Sequence, residues 1–394
     1  MLVAIVGKPN VGKSTFFSAL TLAPADIANY PFTTIKPNFG VGYVRKRCVC
    51  KELNVKCNPK NSICMDGERF IPVKVVDIAG LVPDAHKGRG LGNSFLSDIR
   101  EADCLIHVVD ISGSTDKEGN PSEPLSNNPA DDVVFLENEI EMWMFNVVKR
   151  NIAKYVRSAG DFEDLFRGIK DVISSFKISR EEFENSIKIS GFSKDEFKDL
   201  NDDELLHIIK NLRKVTKPIL IAANKIDIDG AEENLSKLKK LGYDAVPCCA
   251  EAELALRKAE KSGIIRYVPG DRDFEVIKQV DEGKKKALDF IKDLLRRYGS
   301  TGVQKTINTA VFDLLHMIAV YPVRDEHRFT DADGNILPDT YLVKKGTTVR
   351  ELAYAVHTDI GEGFITAIDA KRKVQVGGDR VLEDNDVIKI ISRS

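Results

Sequence analysis

Short apolar runs recur between residues 2 and 247, and each is bounded by polar or glycine-rich segments. The runs cover residues 2–6, 73–76, 105–109, 219–223 and 245–247. Because they are rich in aliphatic and β-branched residues and do not alternate with polar ones, they are typical of strands buried on both faces. A helix is predicted directly after the first run, over residues 13–22. The pattern therefore predicts an α/β fold with a doubly wound, mostly parallel sheet.

From residue 132 to 216 the apolar positions follow a helical period instead. A stripe at helical spacing comprises Phe162, Leu165, Phe166, Ile169, Val172, Ile173 and Phe176. Ser179, Ser193 and Asn201 each precede a glutamate by three residues, as in the capping box of a helix start. We predict a helical, coiled-coil-like insertion over residues 132–216. The Gly-, Ser-, Asn- and Pro-rich loop before it, residues 113–129, is predicted to be mobile.

The C-terminal part of the chain has two successive patterns of apolar residues, first helical and then strand-like. Residues 284–318 have a helical pattern, and after Tyr321 short strands alternate with turns around one helix candidate at residues 348–357. The chain therefore divides into a main α/β domain, the helical insertion, a helical connector and a small α+β module. Their predicted bounds are 1–131 with 217–283, 132–216, 284–318 and 319–394.

Composition narrows the choice of protein class. The 394 residues are 43% hydrophobic and 30% charged. The net charge of −2 argues against bulk electrostatic binding to nucleic acid and leaves a local basic patch open, and no DNA partner is expected. No apolar run approaches the length of a membrane span, and the start MLVAIVGKPN lacks the features of a secretory signal. We expect a cytoplasmic monomer with no membrane partner.

The segment GKPNVGKST, residues 7–15, follows the first predicted strand and has the pattern G-x-x-x-x-G-K-S. In such a loop the backbone N–H groups and the helix N-terminus surround phosphates. Lys13 is predicted to contact the β- and γ-phosphates, and the Ser14 hydroxyl is predicted to bind Mg²⁺. The predicted phosphate-binding residues are Gly7, Pro9, Asn10, Val11, Gly12, Lys13, Ser14 and Thr15.

Two further segments supply groups for Mg²⁺ and the γ-phosphate. Asp77-Ile-Ala-Gly80 ends a predicted strand, so that Asp77 is expected to hold Mg²⁺ and the Gly80 N–H to contact the γ-phosphate. The polar segment YPFTTIKPNFG, residues 30–40, offers Thr33 and Thr34. We favour Thr34 as the hydroxyl that joins Mg²⁺ when the γ-phosphate is present.

A base-binding loop is predicted from AANKIDID, residues 222–229. Guanine presents N1–H and the exocyclic amine side by side, so the carboxylate of Asp227 can accept both bonds, whereas adenine has no such pair. Asn224 is expected to hold the loop together, and the stem of Lys225 to lie over the base. A backbone amide at Cys249 or Ala250 is expected to meet the guanine O6. GTP and GDP are therefore the predicted nucleotides.

Together, GKPNVGKST, YPFTTIKPNFG, DIAGLVPDAHKGRGLGNSF and PCCAEAELALR resemble the Obg-like branch of translation-factor-class P-loop GTPases, in particular the YchF group of Obg-like ATPases. The resemblance covers nearly the whole chain. It implies a P-loop NTPase fold and a C-terminal TGS domain with a ubiquitin-like β-grasp fold. It also implies ribosome or RNA contact through the TGS and helical domains.

The chain departs from that group in two places. The group usually carries N-x-x-E in the base-binding loop and prefers ATP, whereas this chain has Asp227 at that position. The physical argument for Asp227 favours GTP, and an ATP-preferring enzyme is the alternative. The cysteine-bearing segment between residues 45 and 70 is absent from typical bacterial members and resembles the archaeal branch.

The catalytic apparatus has an apolar residue where Ras-like enzymes use a glutamine. Leu81 follows Gly80, so another group must position the attacking water, and slow intrinsic hydrolysis is expected. His86 is a candidate, although an exposed loop histidine is the simpler interpretation. Asn10 is a stronger candidate, because related enzymes use this residue to hold a K⁺ ion. A nucleotide-gated binding module with negligible turnover stays open as a second class of function.

Four of the seven cysteines are spaced C-x-C-x₆-C-x₆-C: Cys48, Cys50, Cys57 and Cys64. Four thiolates at this spacing are a candidate Zn²⁺ site. Reduced free thiols and a disulfide formed under stress are the alternatives. Cys104, Cys248 and Cys249 lie in apolar segments and are predicted to be buried.

Overall fold

The computed structural model describes residues 1–22, 38–78, 98–155 and 159–393, apart from the side chain of Lys198. The predictions for Thr33, Thr34, Gly80, Leu81 and His86 therefore lie outside the described residues. The chain forms two compact units. The first comprises Met1–Pro24, Lys36–Gly40 and Lys74–Thr306, and the second is made chiefly of Val41–Val73 and Ile307–Ser394.

A seven-stranded sheet carries the predicted parallel strands. Its strands are β1 Leu2–Val6, β2 Phe39–Arg47, β3 Ile63–Met65, β4 Glu68–Asp77, β5 Cys104–Asp110, β6 Ile219–Asn224 and β7 Ala245–Pro247. Their order is β2-β4-β1-β5-β6-β7, with β3 antiparallel on β4. The pairs β1–β4, β1–β5, β5–β6 and β6–β7 are all parallel, which confirms the predicted sheet type.

The order of the strands explains their composition and places the site. All seven residues of β5 are buried, because β1 and β6 flank this strand and its side chains enter two separate hydrophobic cores. The register pairs Ile5 with Asp77 and Asp110 with Asn224. The carboxyl ends of β1, β4, β5 and β6 therefore meet at one edge, which is where such sheets bind ligands.

Nine α-helices up to residue 308 have both ends within the described part of the chain. They are α1 Lys13–Thr21, α2 Pro129–Tyr155, α3 Phe162–Ser175, α4 Arg180–Ile189, α5 Asp202–Thr216, α6 Ala231–Lys240, α7 Ala250–Lys261, α8 Glu282–Tyr298 and α9 Val303–Asn308. A two-stranded ribbon, β8 Ile265–Arg266 with β9 Glu275–Val276, follows α7. None of the described helices combines the length and the apolarity that crossing a membrane requires.

Helices α2 to α5 form the predicted helical insertion around an aromatic core. That core holds Trp143, Phe162, Phe166, Phe176, Phe183 and Phe197, with edge and stacked ring contacts. The capping boxes at Ser179 and Asn201 are both present. The prediction of a helix after Ser193 is wrong. The capping-box bonds between Ser193 and Glu196 form, but Leu200 is extended, and only the single 3₁₀ turn Phe197–Asp199 follows.

The second unit contains a mixed five-stranded sheet in the order β11-β10-β14-β12-β13. Its elements are β10 Met317–Val323, β11 Tyr341–Lys344, α10 Val349–Val356, α11 Thr358–Glu362, β12 Phe364–Asp369, β13 Val374–Val376 and β14 Val387–Ser392, after a π-helical turn at Thr309–Leu314. Buried side chains of α10 pack with those of the sheet in one core. This arrangement confirms the predicted α+β module.

Candidate nucleotide-binding site

The loop between β1 and α1 has a backbone that requires its two glycines. Gly12 has φ 89°, and a Cβ atom there would lie 2.3 Å from Asn224 Nδ2. A Cβ atom at Gly7 would lie 2.5 Å from the carbonyl oxygen of Val108. Asn10 also has a positive φ, 62°, which asparagine tolerates better than most residues. The loop is therefore a tightly packed cradle that larger residues at Gly7 and Gly12 would disrupt.

The start of α1 presents its first amides without a protein cap. Gly12 occupies the N-cap position, and among the described residues no side chain bonds the amides of this helix end. Helix N-termini in this condition bind anions through free N–H groups and the helix dipole. Lys13, the first residue of α1, adds a full positive charge. This end of α1 is therefore suited to the phosphates of a nucleotide.

Lys13, Ser14 and Asp77 meet at the edge of the sheet. Lys13 Nζ donates to Asp77 Oδ1 at 2.6 Å, and Ser14 Oγ donates to Asp77 Oδ2 at 3.2 Å. These side chains come from two segments more than 60 residues apart, which the parallel pairing of β1 with β4 brings together. A hydroxyl and a carboxylate side by side are the oxygen ligands that Mg²⁺ prefers, so the residues present fit the predicted ion.

Asn224 ties three segments of the site together. Its Nδ2 donates to the carbonyl oxygen of Val11 at 2.8 Å, and its Oδ1 accepts from the N–H of Ala250 at 3.0 Å. Its backbone carbonyl accepts from the N–H of Ile111 at 2.9 Å. The buried side-chain amide therefore links the phosphate loop to the start of α7, and the backbone carbonyl of the same residue adds the end of β5.

Lys225 and Asp110 form a buried network beside the predicted base loop. Lys225 has φ 63°, and its Nζ donates to Asp110 Oδ2 at 2.8 Å. Ser112 and Ser114 also donate to the Asp110 carboxylate. Burial alone would raise the pKa of Asp110, but the bonds from Lys225 and Ser112 hold that pKa below its usual value. Asp110 is thus a fixed anion that positions Lys225.

Asp227 lies exposed in the loop after β6, close to Cys249. Burial raises the pKa of the Cys249 thiol well above its usual value, and the negative charge of Asp227 raises it further. The N–H of Cys249 donates to the carbonyl of Thr301 at 2.8 Å, and that of Ala250 donates to Asn224. Neither amide is free in this structure, so the expected contact with guanine O6 stays a prediction that requires a rearrangement.

The loop that the sequence predicts to be mobile, residues 113–129, is held against the phosphate loop. Lys8 Nζ donates to the carbonyl of Thr115 at 3.0 Å and pairs with Asp132 at 2.8 Å. Asn10 Nδ2 donates to the carbonyl of Gly119 at 2.9 Å. Sequence reasoning missed these contacts. The sequence feature that could have indicated the Lys8–Asp132 pair is the combination of a lysine at the second position of GKPNVGKST and an acidic residue in the first turn of α2.

The Lys8–Asp132 pair gives a stability prediction, because both side chains are largely buried. Lys8→Met is expected to destabilise the protein by about 3 kcal/mol, since it leaves Asp132 without a counter-charge. Lys8→Met combined with Asp132→Asn should recover at least about 1 kcal/mol of that loss. Urea denaturation measures both values, and additive losses in the double variant would show that the two side chains are not coupled.

Comparisons with known proteins identify the family. A 50S ribosome-binding GTPase model matches residues 2–139, an "Obg-like GTPase YGR210-like, G4 motif-containing domain" model matches residues 222–325, and a TGS domain model matches residues 327–392. A GTP-binding protein of Methanocaldococcus jannaschii is 52% identical over 99% of both chains. The ribosome-binding ATPase YchF of Haemophilus ducreyi is 32% identical over 92% of this chain and 86% of its own.

The chain belongs to the YchF family of Obg-like GTP-binding proteins. The crystal structure of a GTP-binding protein from Pyrococcus horikoshii OT3 matches this chain over 100% of both chains, with a TM-score of 0.77 and 38% identity. The Schizosaccharomyces pombe YchF GTPase, 17% identical over 99% of this chain and 97% of its own, shares the fold with a TM-score of 0.58. The expected P-loop GTPase fold and C-terminal TGS domain are confirmed.

The names of YchF relatives include both GTP-binding proteins and ATPases. The choice between the two purines in this YchF protein therefore has to be argued from its own base loop. The cysteines divide as the sequence predicted: Cys104, Cys248 and Cys249 are buried. The other four, Cys48, Cys50, Cys57 and Cys64, lie together in the second unit, and Cys48 and Cys50 among them are also buried.

Proposed function

We propose that this protein is a Mg²⁺-dependent GTPase that hydrolyses GTP to GDP and phosphate and acts as a nucleotide switch. The main support is that Lys13, Ser14 and Asp77 contact one another at one edge of the sheet. Asn224, which begins the predicted base loop, bonds the phosphate loop at the same edge. The residues proposed to bind the phosphates, the metal and the base therefore lie at the same edge of the sheet, which is where sheets of this type bind nucleotides.

Each side chain has a separate task in the proposed reaction. Lys13 exchanges its bond to Asp77 for a phosphate oxygen, and the freed Asp77 carboxylate and the Ser14 hydroxyl hold Mg²⁺. When bound, Mg²⁺ neutralises charge on the β- and γ-phosphates. In the GTP-bound form, Thr34 is proposed to contact the metal and Gly80 the γ-phosphate. Both contacts require the γ-phosphate, so they would be lost when GTP is hydrolysed to GDP.

Selectivity for guanine is proposed to come from Asp227. Its exposed carboxylate can accept from N1–H and the exocyclic amine of guanine, and adenine would leave it without donors. Asn224 keeps the loop in place, while Asp110 holds the Lys225 ammonium so that its stem is positioned beside the base. A YchF relative is named an ATPase, so an ATP-preferring enzyme is the alternative that nucleotide affinities decide.

Water activation is proposed to depend on Asn10 and a K⁺ ion. The Nδ2 of Asn10 donates to Gly119, which leaves its Oδ1 as an acceptor for a cation near the phosphates. Because Leu81 cannot orient water, K⁺ would supply the positive charge that other enzymes take from an arginine finger. His86 is the other proposed group for this step.

This part of the proposal predicts a salt effect on turnover. GTP hydrolysis should be at least about tenfold faster in KCl than in NaCl at equal ionic strength. Asn10→Ala should abolish that difference while GDP still binds. Multiple-turnover phosphate release measures both. No turnover in either salt, with tight GTP binding retained, would instead favour a nucleotide-gated binding module.

The ribosome is the proposed partner, through the TGS and helical domains. The support is the description of the matching model as a 50S ribosome-binding GTPase, the TGS domain itself and the name of the Haemophilus ducreyi relative. We expect the protein to sediment with ribosomal subunits in the presence of a non-hydrolysable GTP analogue and to be released by GDP. Equal sedimentation with both nucleotides would contradict a switch.

A further inference from the structure

Four cysteine sulfurs converge in the second unit, in a region that the proposed GTPase reaction does not use. The Sγ atoms of Cys48 and Cys57 are 3.9 Å apart, as are those of Cys50 and Cys64. All four ligand atoms lie within 4.8 Å of one another. Zinc bonded to four sulfurs at about 2.3 Å gives a tetrahedron with edges of about 3.8 Å. Disulfides need about 2.05 Å, so the spacing fits a metal and not cystine.

The backbone around the cysteines is built to bring them together. After β2 the N–H of Cys48 donates to the carbonyl of Gly67 at 2.7 Å, and a 3₁₀ turn at Val49–Lys51 places Cys50. The carbonyl of Cys50 accepts from the N–H of Val55 at 3.0 Å, which turns the chain back toward Cys57. Cys64 follows on β3. The four sulfurs are therefore positioned by ordered backbone bonds rather than by loose loop contacts.

Arg69 lies opposite Cys64 in the pairing of β3 with β4, and it is an independent indication that negative charge is needed at the cluster. Its side chain is fully buried, and its guanidinium donates to two uncharged oxygens, Ser62 Oγ at 3.0 Å and the Leu337 carbonyl at 3.1 Å. Among the described residues its Nε has no hydrogen-bond partner. Burying a cation without a counter-charge is costly. Four thiolates around Zn²⁺ carry a net charge of about −2, which would compensate Arg69.

The loop between Cys57 and Cys64 pairs with the C-terminal module inside the same unit. Backbone N–H groups of Asn58 and Lys60 donate to the carbonyls of Ile336 and Pro338 at 3.1 and 2.7 Å. Asn61 exchanges side-chain bonds with the backbone of Thr340 at 3.1 and 2.9 Å. The cysteines at both ends of this loop thus bracket its contact with residues 336–340.

We propose that Cys48, Cys50, Cys57 and Cys64 bind one Zn²⁺ ion that holds the 58–61 segment against residues 336–340 of the TGS module. Four protein ligands close the coordination sphere, so the ion is structural and not catalytic. It connects a segment from the N-terminal part of the chain to the TGS module. This proposal does not depend on the identity of the nucleotide or on hydrolysis.

The first test is the metal content of the full chain, purified under reducing conditions without chelator. Elemental analysis should find about one Zn per chain, and X-ray absorption should show sulfur neighbours at about 2.3 Å. Fewer than about 0.2 equivalents of Zn in protein with four titratable thiols at these positions would overturn the proposal. So would zinc bound to nitrogen or oxygen neighbours, or stoichiometric iron instead.

The second test is the effect of Cys57→Ser and Cys64→Ser, with Cys104→Ala as the matched control at a buried cysteine of β5. The two serine variants should lose zinc, and amide exchange at residues 336–340 should become at least about tenfold faster while the β10 and β14 amides change less. Cys104→Ala should keep both properties. Full zinc content in the serine variants overturns the ligand set. Unchanged exchange after zinc loss overturns the role of the ion in holding the segment.

Discussion

Lys13→Ala is expected to slow GTP hydrolysis by at least about a hundredfold, because it removes the charge that contacts the developing phosphate charge in the transition state. The same change should also lower folding stability. Only 12% and 14% of the Lys13 and Asp77 side chains are accessible, so removing the lysine leaves a largely buried carboxylate without its counter-charge. Single-turnover phosphate release at saturating GTP and Mg²⁺, with urea denaturation beside it, separates the two effects.

The control for this variant is Lys170→Ala, at an exposed lysine of α3 that the site does not include. It should leave turnover at the wild-type rate. Asp77→Asn should raise the Mg²⁺ concentration needed for half-maximal turnover, since a neutral amide is a poorer ligand for a hard cation. Hydrolysis by Lys13→Ala within about threefold of wild type would contradict the assigned role of this lysine.

Asp227→Asn is expected to change which purine the protein binds. An asparagine amide has one acceptor and one donor group, so it can no longer accept both guanine bonds, and GDP binding should weaken by at least about tenfold. Xanthine has N1–H beside a carbonyl at C2, which matches the acceptor and the donor of asparagine. XDP should therefore bind the variant more tightly than it binds the wild-type protein.

The matched control for this second prediction is Asp229→Asn, two residues away and also exposed. It changes the loop charge by the same amount but should leave the GDP affinity unchanged. Isothermal titration with GDP, XDP and ADP measures all three affinities. If Asp227→Asn binds GDP as tightly as the wild-type protein does, Asp227 does not contact the base.

Much of the fold follows from local patterns. The aliphatic runs without alternation predict buried parallel strands, and because such strands end at a common edge, the motifs that follow them come together there. Lys13, Ser14 and Asp77 do meet there, and Asn224 bonds Val11. The helical period between residues 162 and 176 likewise predicted the stripe that packs into the aromatic core.

The contacts that sequence reasoning missed are pairings between distant segments with no periodic pattern. Lys8 with Asp132 and Asn10 with Gly119 each join residues more than 100 positions apart. A Ser- and Asn-rich loop is therefore predicted to be mobile, although its carbonyls bond the phosphate loop. At Ser193 a local pattern was present but misleading. The capping box predicts a helix, whereas the chain makes one turn and is extended at position 200.

For the cysteine cluster, the sequence identified the residues but not their chemical state. Its spacing suggested zinc, free thiols or a disulfide with no means of choosing among them. The structure supplies the missing information: two sulfur–sulfur distances of 3.9 Å are too long for a disulfide, and the buried Arg69 favours negative charge beside it, so together they favour a metal. The pairing of residues 58–61 with 336–340 joins segments more than 270 positions apart and has no local signal.

The central claim is that Asp227 makes this YchF protein a guanine-nucleotide enzyme. Isothermal titration of the wild-type protein with GDP and with ADP, at equal Mg²⁺ and salt, tests it directly. We predict that GDP binds at least about tenfold more tightly than ADP. Equal affinities, or tighter binding of ADP, would contradict the claim and assign the protein to the ATP-preferring enzymes.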